Sequence, residues 1–211
     1  MVEWSIAAFR ACKSVRSIVV ACPPGHVHDF AGGDLGVVEG GATRGRSVSN
    51  ALQAVGTELV AIHDAARPLV TPGLIEEIVA TLAADPGSAG AIAATPVTDT
   101  IKQVAASGDG VPDGCNALRP HEDRKTLHLV ERTLDRGRLW AAQTPQVFRA
   151  DALRVALADN PESVATTDEA MLIEAAGGSV LIHPAPAENL KVTTSLDLRL
   201  AEFLLAARSA Q

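Results

Sequence analysis

The sequence predicts an α/β protein, a three-layer α/β/α sandwich, on two observations. Short, continuous apolar runs of strand length recur along the chain, and segments of helical period separate most of them. The runs are Ser17 to Ala21, Leu35 to Val38, Leu59 to Ile62, Ala89 to Ala94 and Ser179 to Ile182. Strands that are apolar at successive positions, rather than alternating, are those buried on both faces of a parallel sheet.

The helices carry their own signals. After the third run, Thr71-Pro72 reads as an N-cap followed by a proline at the first helical position, and Leu74, Ile75, Ile78, Val79 and Leu82 then form one apolar stripe. In the last helix Leu196, Leu200, Phe203 and Leu204 share a face, with Asp197, Arg199 and Arg208 elsewhere. Thr166 to Glu169 has capping-box spacing, and capping is the first reading of that segment.

Pro96 to Phe148 breaks this rhythm. Pro96 to Val104 and Thr126 to Leu134 alternate in strand fashion around a Gly-, Pro- and charge-rich stretch, Ala105 to Arg124, which predicts a protruding hairpin. On an isolated ribbon Leu127, Leu129 and Val130 would be poorly covered, so the arm is expected to dimerise the protein. The organisation expected is a single domain over 1–211 with an arm at about 97–135.

Composition excludes several classes. With 211 residues, 47% of them hydrophobic, the chain can bury a full core. A net charge of −7 and the absence of tyrosine argue against a nucleic-acid partner. Cys12, Cys22 and Cys115 have neither CxxC nor zinc-ligand spacing, as expected of reduced thiols in a cytoplasmic protein. No segment is apolar enough for a membrane span.

Three loops follow the carboxyl ends of predicted strands, where open α/β sheets collect ligands. They are Gly40-Gly41-Ala42-Thr43-Arg44, His63-Asp64-Ala65-Ala66-Arg67 and Pro96-Val97-Thr98-Asp99-Thr100. Gly40 and Gly41 allow close backbone approach, though Gly-Gly alone is a turn; Ser47 supplies a hydroxyl or a cap. Asp64 can meet metal and phosphate or can cap its own turn. Arg44, Arg46 and Arg67 add local positive charge, each read singly as a solvated side chain.

These segments resemble the 2-C-methyl-D-erythritol 4-phosphate cytidylyltransferase family. Val-Glu-Trp-Ser, Gly-Gly-x-x-Arg-x-x-Ser-Val, His-Asp-Ala-Ala-Arg-Pro, Pro-Val-x-Asp-Thr-x-Lys, Asp-Arg-x-x-Leu-Trp, Thr-Pro-Gln-x-Phe, Thr-Asp-Glu-Ala and Asn-x-Lys-Val-Thr occur in order from Met1 nearly to the end. The resemblance implies a homodimer with a Rossmann-like nucleotidyltransferase core and an arm hairpin. It implies transfer of CMP from CTP to 2-C-methyl-D-erythritol 4-phosphate, with pyrophosphate released, in isoprenoid biosynthesis.

Residue by residue, the resemblance implies that Gly41, Ala42 and Ser47 border the cytosine. Asp64 would hold Mg²⁺ on the triphosphate, with Ala65 and Arg67 beside it. Arg136 and Lys191 would be the catalytic pair that positions the acceptor phosphate. Thr100 and Arg136 would serve the neighbouring subunit's site, with Thr144 and Thr167 as further polar contacts to substrate.

Three departures from the family pattern are visible. Met1 to Ser5 matches the helix that follows the family's glycine-rich triphosphate loop, so that loop and the central strand before it are expected upstream of residue 1. A doubly wound sheet without an inner strand would expose unpaired backbone groups and an apolar slot. Ala42 stands where the family often has Asp, and the Ala105 to Arg124 tip is longer than usual. The alternatives are a non-catalytic or weakly active truncated subunit, and a cytidylyltransferase for another polyol phosphate such as ribitol phosphate.

Overall fold

The computed structural model describes residues 1–30, 33–105, 128–159 and 168–209. It divides into two compact units, one of residues Met1–Thr95 with Ala142–Gln211 and one of residues Pro96–Ala141. Thr166, Thr167, Cys115 and Leu127 lie outside the described residues.

The larger unit opens with α1 (Val2–Arg10), β1 (Ile18–Cys22) and β2 (Leu35–Glu39), and continues through α2 (Arg44–Leu52), β3 (Leu59–Ile62) and α3 (Pro72–Ala84). β4 (Gly90–Pro96) leads out to the smaller unit, where β5 (Lys102–Val104) and β6 (Val130–Thr133) pair antiparallel as a two-stranded sheet. β7 (Trp140–Arg149), α4 (Ala150–Asp159), α5 (Ala170–Ala175), β8 (Val180–Pro184) and α6 (Ser195–Ser209) complete the chain. All five apolar runs are strands within a residue or two of the expected bounds.

Four strands form one sheet in the order β3-β7-β4-β8, with β3 antiparallel to β7 and β4 parallel to β8. β7 is the one strand of this sheet that no expected apolar run marked, and it makes the sheet mixed rather than parallel. Burial on both faces is visible in the alternation. Ile92, Phe148, Val60 and Ile62 pack with Leu52 of α2, Leu153 of α4 and Leu172 and Ile173 of α5. Their neighbours Ala91, Ala93, Val147, Leu59 and Ala61 pack with Leu74, Ile78 and Leu82 of α3 on the opposite face. Helix α1 and the turn after it join that second layer through Ala8, Phe9 and Cys12 against Val70 and Ile75. The expected cap is in place, with Thr71 Oγ1 accepting from the Leu74 N–H at 3.2 Å.

β1 and β2 pair parallel as a separate two-stranded sheet. A cavity of about 660 Å³ has both β1 and β3 in its walls, with Ile18, Val19 and Val20 from one strand and Leu59, Val60, Ala61 and Ile62 from the other. All of these are half-buried instead of buried, although their sequence is that of core strands.

Helix α6 differs from expectation. Leu196, Leu200 and Phe203 are 65%, 45% and 70% exposed, so the face they share is not a core stripe. The helix is held instead by Ala201, which is small enough to be fully buried, and by the Arg208 guanidinium, which donates to the Leu69 carbonyl at 2.8 Å. Its start is fixed by Asp197, whose carboxylate accepts from the Thr193 and Thr194 N–H groups and the Thr193 hydroxyl. Those bonds pull its pKa down to about 2.

Candidate active site

The loop before α2 is closed by its own hydroxyls. Gly41 N–H donates to Ser47 Oγ at 3.0 Å, Ser47 Oγ donates to the Thr43 carbonyl at 3.0 Å, and Thr43 Oγ1 caps α2 by accepting from Arg46 N–H at 3.2 Å. A Cβ on Gly41 would stand 2.1 Å from Arg46 Cγ, so only glycine lets the loop lie this close to the first turn of the helix. Ala42 is exposed beside it.

Strand β3 ends by delivering His63 and Asp64. The Asp64 N–H donates to Thr144 Oγ1 at 3.0 Å, and Thr144 Oγ1 lies 3.0 Å from His63 Nδ1. His63 Nε2 lies 3.1 Å from the Arg67 carbonyl, which can only accept, so Nε2 carries the proton and Nδ1 accepts from Thr144. Burial, against Phe9 among others, pushes the His63 pKa down to about 4. This imidazole is neutral at physiological pH, with both nitrogens engaged.

The Asp64 carboxylate is held by two cations. Lys191 Nζ approaches Oδ2 at 2.8 Å and Arg44 Nε approaches Oδ1 at 3.3 Å. Burial favours the neutral acid, but Lys191 and Arg44 outweigh it and hold the Asp64 pKa below the ordinary carboxylate value. Arg44 also donates through Nη1 to Oε1 of Glu169, a carboxylate only 2% exposed. Burial works against the guanidinium charge, and the two carboxylates reverse that effect and raise its pKa. Arg44, Ser47, His63, Asp64 and Lys191 all line the cavity that β1 and β3 border.

Lys191 reaches this point because the segment before it is anchored. Arg67 Nη1 donates to the Asn189 carbonyl at 2.8 Å, and Val192 N–H donates to the Ala66 carbonyl at 2.8 Å. The Asn189 side chain, 1% exposed, donates to Gln143 Oε1 at 2.8 Å and to the Thr144 carbonyl at 2.9 Å. Arg67 is therefore committed to the protein backbone, and its pKa is lowered by burial.

Of the residues expected from sequence, the structure gathers Gly41 with Ser47, and Asp64 with Lys191 and Thr144. Ala65 is exposed next to Asp64. Thr100 is exposed in the smaller unit, where Arg136 donates to the Thr98 carbonyl at 2.6 Å. Thr167 is outside the described residues. Among the described residues no group of three or more His, Cys, Asp or Glu side chains could hold a metal ion.

A family model described as 2-C-methyl-D-erythritol 4-phosphate cytidylyltransferase (IspD) matches residues 1–207. The chain belongs to this family. Cytidylyltransferases named for the same reaction in Frankia casuarinae and Burkholderia vietnamiensis are 40% and 38% identical to it, covering 98% of this chain in each case and 70% and 84% of their own lengths. A solved family structure from Thermus thermophilus superposes with a TM-score of 0.74 at 32% identity, over 96% of this chain and 86% of that one. A Francisella tularensis family structure gives 0.75 at 27% identity, over 96% and 86%.

Within this cytidylyltransferase frame the structure corrects two sequence readings. Glu169 does not cap with its side chain: it occupies the N-cap of α5, yet its carboxylate turns to Arg44, while Asp168 Oδ1 accepts from the Met171 N–H. Arg44 is an ion-pair bridge and not a solvated side chain. His63 and Asn189 sat inside the quoted family motifs without a role of their own. An apolar run ending in His-Asp was the available signal for His63. For Glu169 there was none, because its partner lies 125 positions away.

Proposed function

We propose that this chain transfers CMP from CTP to 2-C-methyl-D-erythritol 4-phosphate, with release of pyrophosphate. The observation that carries the reading is the Asp64 carboxylate at the end of β3, 2.8 Å from Lys191 Nζ and 3.3 Å from Arg44 Nε, beside the tight Gly41–Ser47 loop. Family membership supports the reaction class.

A divalent cation, Mg²⁺ by preference, fits this donor set. One carboxylate without further acidic ligands suits an ion that arrives with phosphate oxygens and keeps water, as Mg²⁺ does on nucleotides. When bound, the ion neutralises phosphate charge and stabilises the departing pyrophosphate. Asp64 would hold it.

The chain's own residues account for the remaining requirements. A phosphate monoester has a second pKa near ~6, so the acceptor is largely ionised at neutrality and needs no general base. His63, neutral and hydrogen-bonded at both nitrogens, is a brace for the Asp64 loop. Lys191 offers a mobile point charge, and Arg136 in the arm a fork suited to bidentate phosphate contact. With Gly41, Ala42 and Ser47 bordering the base, these groups align the acceptor for in-line attack on the α-phosphorus.

A second copy of the chain completes the site in this reading. Val104 and Val130 on the two-stranded β5–β6 sheet are 43% and 52% exposed and Leu129, just before β6, is 48% exposed, an apolar surface that favours pairing between arms. Thr100 and Arg136 would then serve the neighbouring subunit.

A panel of CTP with methylerythritol phosphate, ribitol phosphate and no acceptor, read by pyrophosphate release, tests the proposal. The expected result is release that depends on Mg²⁺ and is fastest with methylerythritol phosphate. Release fastest with ribitol phosphate would move the chain to another polyol substrate. Calorimetric binding of methylerythritol phosphate with no Mg-CTP binding would make it a non-catalytic subunit.

A further inference from the structure

Arg44 is shared between two carboxylates of unequal standing. Asp64 is bound weakly, by one long Nε contact of 3.3 Å, and is itself reachable from the cavity. Glu169 is 2% exposed and engages Arg44 through Oε1 alone, while its Oε2 is buried with no hydrogen-bond partner among the described residues. A buried carboxylate oxygen without a partner costs free energy, and the nearest remedy is the guanidinium already at its side. An end-on Nη1–Nη2 fork onto both Glu169 oxygens would satisfy Oε2 and withdraw Nε from Asp64.

We propose that Glu169 is a positioning residue that takes Arg44 off Asp64 when the carboxylate receives its cation. In this structure Arg44 bridges both acids and offsets the charge of Asp64. In the loaded site Arg44 rests wholly on Glu169, and Asp64 Oδ1 is free to coordinate. The two ions never compete for one oxygen, because the positive charge displaced from Asp64 has a prepared place to go. This inference rests on the reading of Asp64 as the cation-binding carboxylate.

The test is calorimetric titration of CTP with Mn²⁺ into the full chain and its variants, with circular dichroism and thermal melts as fold controls. In Glu169→Gln, Arg44 is left to Asp64 alone, and the Kd is expected to rise roughly tenfold. Removing Arg44 as well, in Glu169→Gln/Arg44→Met, unblocks Asp64 and is expected to restore the Kd to within about threefold of the wild type. A merely structural Glu169 would give no such recovery. Should Glu169→Gln fail to fold, Glu169→Asp keeps the charge and retracts the carboxylate by one methylene, with an expected rise of about threefold. An unchanged Kd in either single variant, or a double variant as weak as Glu169→Gln, overturns the proposal. Asp64→Asn separates the two readings: if it too leaves the Kd unchanged, the cation site itself is misassigned, whereas weakening by Asp64→Asn alone rejects only the role of Glu169.

Discussion

His63 shows how a single residue links stability to the site. Its pKa falls from 6.5 to about 4 on folding, so between these values the unfolded chain binds more protons than the folded one. The neutral ring contributes its full stability above pH 6.5, and that contribution is lost as the pH falls toward 4. The size of the loss is about 3 kcal/mol. Urea unfolding at pH 6.5 and at pH 4.5 is expected to show a smaller difference in His63→Asn than in the wild type; equal differences would mean that the ring is not held neutral by burial. Asp64, whose pKa Lys191 and Arg44 lower, loses its own stabilisation mainly below its unfolded value of 3.8, and does so in both proteins, so it does not alter the comparison. The sequence showed His63 and Asp64 as the end of an apolar run, but not which nitrogen bonds to what, since Thr144 lies 81 positions away.

At the scale of elements, strand and helix positions were legible because each carries a local period or cap, and the Thr71 cap and all five apolar runs illustrate this. The mixed sheet was not legible. β7 contains Gln143, Thr144, Pro145 and Gln146, which are polar or lack an N–H yet are buried, and such a strand has no apolar run to announce it. Burial now separates strong from weak positions within elements that look alike in sequence. Ile78 of α3 is fully buried, and Ile78→Ala is expected to cost about 2–5 kcal/mol in denaturant unfolding. Val20 of β1 lines the open slot, and Val20→Ala is expected to cost less than about 1 kcal/mol in the same assay, since the lost contact area is already partly solvated. Comparable costs would mean that the slot is packed. The Gly41–Arg46 approach sets a third element-level expectation: Gly41→Ala forces the loop off α2, and is expected to raise the KM for CTP while leaving the melting temperature within a few degrees, about 5 °C at most.

For the whole molecule, the outer apolar surfaces matter most. Leu129 and Val130, at the start of β6, are exposed, and pairing of arms is the use proposed for them. Leu129→Glu with Val130→Glu is expected to shift the protein from dimer to monomer in sedimentation and to lower kcat, because Thr100 and Arg136 would no longer reach a neighbour; a monomeric wild type of full activity would contradict this. The sequence reads as a single domain with an arm, and the structure divides at Pro96, where the Gly- and Pro-rich interruption of the strand–helix rhythm begins. The exposed face of α6 was not anticipated, since an apolar stripe in a sequence states that residues share a side and leaves open what covers that side.

All scales meet at the lip where Asp64 stands against Lys191, with Arg44 held in reserve. The most direct measurement is pyrophosphate release from Mg-CTP at varied methylerythritol phosphate, comparing Lys191→Ala and Asp64→Asn with the wild type. Lys191→Ala is expected to lower kcat/KM for the acceptor on the order of a hundredfold, and Asp64→Asn at least as strongly and with a changed Mg²⁺ dependence, both with the fold intact. Wild-type kinetics in either variant would show that the charge cluster does no chemistry.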